Sequence, residues 1–108
     1  MTSQTIPQLD LNPRDWEIVH NILARHVPQY EVWAFGSRTK GTAKEYSDLD
    51  LVIITKQPLS LALSAAIADD FAESDLPIKV DVVDWATTSE TFRQAIEKER
   101  LIVQLQAT

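Results

Sequence analysis

Val32-Trp-Ala-Phe-Gly-Ser-Arg-Thr-Lys-Gly41 runs through Thr42–Tyr46 into Ser47-Asp-Leu-Asp-Leu-Val-Ile-Ile-Thr55. Two apolar runs are joined here by a segment that holds both of the chain's glycines, Gly36 and Gly41. A chain this sparing with glycine places it where a strand must turn sharply. The pattern predicts a strand over 31–35, a turn with a short helix starting near Ser37, and a second strand over 48–55. Asp48 and Asp50 open that second strand. Residues i and i+2 of a strand share a face, so the two carboxylates stand side by side at its edge. Two such charges about 4 Å apart repel by roughly 4 kcal/mol at an effective dielectric near 20, and a hard divalent cation is the simplest way to offset them.

Working outward, Asn12-Pro13 reads as a helix cap and first-turn proline, with Asp15 near the positive helix end. Trp16, Val19, Ile22, Leu23 and Val27 follow at helical spacing until Pro28 stops the pattern. Beyond the second strand, Leu63, Ile67 and Phe71 define an amphipathic helix over 59–74. Pro77 leads into a third strand over 78–84. Thr87-Thr-Ser-Glu90 fits a capping box with Thr87 as the cap, and it introduces a helix carrying Phe92 and Ile96. Residues 101–106 read as a short fourth strand or as the end of that helix, with the strand preferred. The order predicts an α/β (α+β) domain, a mixed sheet of about four strands packed against helices, spanning 12–108 behind a polar N-terminal arm over 1–11.

A chain of 108 residues has room for one core. No apolar stretch approaches the ~20 residues that span a bilayer, and the N-terminus lacks the features of a signal peptide, so the expected compartment is the cytoplasm. The absence of cysteine excludes a thiolate nucleophile and a cysteine zinc site. A net charge of −6 argues against extended nucleic-acid binding, which needs clustered cations, and suits a basic protein partner.

Asp81 lies between Val80 and Val82 in an otherwise apolar strand, where an unpaired carboxylate is costly to bury. With the third strand beside the second, Asp48, Asp50 and Asp81 converge into a three-carboxylate cluster able to hold Mg²⁺ against a nucleoside triphosphate. Asp84 competes for the third place, but it differs from Asp81 by three positions and faces the other way. Gly36 and Ser37 form a turn suited to phosphate, and Arg38 and Lys40 are candidate phosphate contacts. A Walker A loop fails, because Thr42-Ala43 stands where Lys-Ser or Lys-Thr is required. His20 and His26 have no carboxylates at ligand spacing, and Trp16, Trp33, Phe71 and Trp85 read as core.

An apolar strand, Gly-Ser, about ten residues, Asp-x-Asp and a later strand Asp together resemble the nucleotidyltransferase superfamily typified by DNA polymerase β. Gly36–Gly41, Ser47–Leu51 and Lys79–Trp85 look most like its minimal nucleotidyltransferases, usually paired with a HEPT partner. The resemblance spans about Asn12 to Leu105. It implies Gly36 and Ser37 at the triphosphate, Asp48 and Asp50 at the metal and Asp81 as third carboxylate. Thr39-Lys40 replaces a frequent Ala-Arg, which keeps the charge but loses the planar guanidinium. The family's larger members carry a helical domain missing here, so a second protein is expected to supply part of the pocket, in a homodimer or hetero-oligomer. The implied activity is transfer of AMP from ATP to a tyrosine of a HEPT toxin, making the chain an antitoxin. The alternatives are an antitoxin that acts by occlusion alone and a nucleotidyltransferase for a small molecule.

Overall fold

A computed structural model describes residues 9–40 and 47–106. Its elements, in chain order, are α1 (Pro13–His26), β1 (Val32–Phe35), α2 (Ser37–Lys40), β2 (Leu49–Ile53), α3 (Leu61–Glu73), β3 (Val80–Asp84), a 3₁₀ turn (Trp85–Thr87), α4 (Glu90–Glu99) and β4 (Leu101–Gln104). The strands form one mixed sheet in the order β3-β2-β1-β4. The glycine-bounded turn returns β2 antiparallel to β1, whereas β3 lies parallel to β2 and therefore needs the long crossover that α3 provides. The C-terminal segment is a strand, antiparallel to β1.

Side-chain alternation sorts the sheet into two faces. Val32, Ala34, Leu49, Leu51 and Ile53 face α1 and α3, packing with Val19, Leu23, Ile67 and Phe71. Trp33, Phe35 and Val52 face the other way, onto Ile96 of α4. Of the expected polar arm, residues 1–8 lie outside the described residues, while Leu9 is buried in the α1/α3 core with Leu11 packed against it.

Local signals explain the helix starts. The Asn12 side chain accepts from the Asp15 N–H at 2.9 Å, and the Ser60 hydroxyl accepts from the Leu63 N–H at 3.1 Å. The expected Thr87 capping box does not form. Ser89 caps α4, accepting from the Phe92 N–H, while the Thr87 hydroxyl and N–H turn back to Asp84. Asp84 accepts that N–H through one oxygen and the Leu59 N–H through the other, at 3.1 and 2.9 Å. A carboxylate three residues before the box thus captures its threonine and delays the helix. Among the described residues, no helix is long and apolar enough to cross a membrane.

Candidate nucleotidyl-transfer site

The sheet register places the acidic residues before any side chain is considered. Asp50 pairs with Phe35 on one side and with Asp81 on the other, so Asp81 and Asp50 are direct cross-strand neighbours, about 5 Å apart at their Cβ atoms. Parity puts both on the α4 face, with Asp48 two residues before Asp50. Asp50 is partly buried and Asp48 exposed. Burial is the first cause that pushes the Asp50 carboxyl above its ordinary value, followed by the charges of Asp81 and then Asp48. Repulsion among the three is therefore expressed at the central residue.

The three carboxylates share one end of one sheet face without closing into a ready-made ligand set. Among the described residues no three such side chains are close enough to hold a metal ion. The donors are nonetheless the hard oxygens that a divalent cation prefers. Asp48 and Asp50 could hold it, with Asp81 alongside. Lys79 Nζ lies 3.5 Å from Asp81 Oδ1, with the lysine 71% exposed, an ion pair worth little in water.

Gly36 ends β1 with a φ of +86°, and a Cβ built on it would lie 2.5 Å from Asp50 Oδ2. The position excludes a side chain twice, through its backbone conformation and through the carboxylate beside it. The turn thus lies directly against Asp50. The Gly36 N–H donates to Glu99 Oε1 at 3.2 Å, so in this structure an anionic oxygen already sits on it. Ser37 opens α2, whose first turn is tied by the Thr39 hydroxyl and N–H donating to the Gly36 carbonyl.

Arg38, expected at the phosphates, is buried. Its Nη1 donates to the Asp10 carbonyl at 2.6 Å and its Nε to the Ser47 carbonyl at 3.1 Å. That guanidinium ties the segment ahead of α1 to the residue before Asp48, and so acts on the site through the backbone it holds. Gly41 and the Lys40 side chain lie outside the described residues. Asp84 faces away from the cluster and is consumed as a cap; burial raises its carboxyl, but hydrogen bonds from the Thr87 hydroxyl, the Leu59 N–H and the Thr87 N–H outweigh that and lower it. Sequence reasoning missed Glu99. In Glu97-Lys-Glu-Arg100 it reads as one more solvated helix charge, and only the docking of α4 brings it to the turn.

The nucleotidyltransferase domain model matches residues 17–105. A probable protein adenylyltransferase, MntA, from Haemophilus influenzae is 53% identical over 97 residues, covering 90% of this chain and 85% of that protein. Among solved structures, a toxin-antitoxin with AMP-PNP matches at TM-score 0.69 and 24% identity, over 82% of this chain and 71% of the matched one. A tri-AMPylated Shewanella oneidensis HEPN toxin in complex with its MNT antitoxin matches at TM-score 0.63 and 20% identity, over 83% and 69%. These two structures share the fold.

Proposed function

The chain belongs to the nucleotidyltransferase domain family, and on that premise we propose that it moves AMP from ATP onto a tyrosine hydroxyl of a helical HEPT-type toxin, acting as its antitoxin. The observation that carries the reading is the direct pairing of Asp50 with Asp81, with Gly36 held against Asp50. The name of the Haemophilus influenzae relative, protein adenylyltransferase, supports a protein acceptor.

Mg²⁺ bound through Asp48 and Asp50 would supply charge neutralisation at the phosphates and orient them. The residues of the chain do the rest. Gly36 leaves room for the triphosphate to approach the backbone, and its N–H is a donor already directed at an anionic oxygen. Asp81, on the outer strand, faces the incoming hydroxyl. The tyrosine oxygen forms a bond to the α-phosphorus, the bond from that phosphorus to the bridging oxygen breaks, and pyrophosphate leaves. The phenolic proton passes to the Asp81 carboxylate.

Co-expression with the partner, followed by intact-mass measurement after incubation with ATP and Mg²⁺, tests this. A gain of one or more AMP units on the partner is expected, lost in Asp81→Asn while the two chains still bind. If Asp81→Asn protects cells as well as the parent and no modified partner is found, the chain acts by occlusion and the proposal fails.

A further inference from the structure

Among the described residues β3 ends the strand order, so its outer side is a free sheet edge. The Leu49 N–H donates to the Lys79 carbonyl at 2.9 Å, and in a parallel pair this fixes which residues turn their backbone groups inward. Lys79, Asp81 and Val83 address β2, so Val80 and Val82 direct their N–H and C=O groups outward. Against this edge lies a groove of about 480 Å³, floored by β3 and walled by Ser64, Ile67 and Ala68 of α3. Asp81 lines it too. Asp81 thus belongs to both the groove and the candidate site, and among the described residues the groove runs along strand backbone that no further strand pairs.

We propose that the edge of β3 receives an extended segment of the acceptor protein as an added strand, and that this pairing delivers the acceptor tyrosine to Asp81. The inference rests on the protein-acceptor reading above. Sheet order argues for the occupant: the turn at Gly36 ends β1, the acidic pair is on β2 and Asp81 is on β3, so a triphosphate at the turn leaves the β3 side for the acceptor. An added strand lies ~4.8 Å away, and its residue opposite Asp81 projects from the sheet face that carries Asp81 and Asp50. Main-chain bonds give affinity in such additions and side-chain register gives specificity. The other sheet edge, β4, carries none of the three carboxylates.

The test uses three peptides of nine residues, alternating threonine and valine around a central tyrosine. One is unmodified, and the other two are N-methylated on alternate residues so that one or the other edge loses its donors. Each is incubated with the full chain, ATP and Mg²⁺, and AMP addition is followed by mass. The unmodified peptide and one methylated isomer should accept AMP, with the other isomer at least ten-fold slower. Val82→Pro, which removes an outward N–H that β2 does not use, and Ala68→Arg, which fills the groove from the helix, should each slow transfer to the unmodified peptide at least ten-fold. ATP affinity by calorimetry should stay within two-fold. Equal modification of both methylated isomers, or unchanged transfer by both variants, overturns strand addition. Transfer to a partner protein but to no peptide overturns it while leaving the adenylyltransferase reading intact; absence of AMP transfer and of pyrophosphate release with any acceptor defeats the underlying reading itself.

Discussion

The two faces of the sheet are made by the same strands and serve opposite ends. Towards α1 and α3, Val32, Leu49, Leu51 and Ile53 are fully buried, and the face is closed. Towards α4, Trp33, Phe35 and Val52 pack on a single helix, and where that cover stops stand Asp50 of β2, Asp81 of β3 and Asp48 just ahead of β2. Apolar surface removed from water, worth ~25 cal/mol per Å², holds the first face together. The second keeps a partly buried, mutually repelling set of charges that detracts from stability, and chemistry is the return on that cost. A substitution on one face should therefore change what the other leaves alone.

Asp50→Asn is expected to break this division most visibly. Transfer should fall by at least ~10²–10³-fold, the scale of losing a group aimed at developing charge, while the fold without metal becomes more stable at neutral pH. Leu51→Ala, one residue away on the closed face, should instead cost about 2–5 kcal/mol of stability. Thermal melting beside transfer rates separates the two. A destabilised Asp50→Asn would show that the carboxylate is structural.

Gly36→Ala sits between the faces. Its positive φ should cost ~1–3 kcal/mol, and the new methyl group must turn the Asp50 carboxylate away. A transfer loss larger than the stability loss is expected; full activity would mean that Asp50 need not keep its present orientation.

The pH dependence sharpens the comparison. The Asp50 carboxyl is raised above 3.8 by burial and by its acidic neighbours, so the folded state favours the neutral form. Its stabilising contribution is full below 3.8 and lost as pH rises through the folded value. The stability difference between metal-free parent and metal-free Asp50→Asn should accordingly vanish in acid and open towards neutrality. A constant difference across pH would refute the repulsion. The smallest effect is expected at Glu99: Glu99→Gln removes a charge that competes with phosphate at the Gly36 N–H, and ATP affinity should rise several-fold in calorimetry, with weaker binding counting against the phosphate role of the turn.

Legibility in the sequence followed the range of the interaction. The helix at 13–26, the strands at 32–35 and 49–53 and the parity that separates Asp81 from Asp84 depend on nearest neighbours along the chain, and period and capping signals report them. The Thr87 box failed because a threonine cap is a local preference of about 1 kcal/mol, and Asp84, held by Leu59 across the fold, outcompeted it. Arg38 is a candidate phosphate contact by sequence, yet the backbone carbonyls of Ser47 and Asp10 claim its guanidinium.

By itself the sequence determined which residue types could do the chemistry, where the chain turns, and that Asp48 and Asp50 stand together, because each follows from a spacing of a few residues. The tertiary structure alone decided that β3 lies parallel to β2 in the register that sets Asp81 opposite Asp50, that Glu99 reaches Gly36, and that among the described residues the outer edge of β3 is open. Those facts depend on how sheet and helices pack, which is settled by apolar burial summed over the whole core, and no local pattern carries that sum.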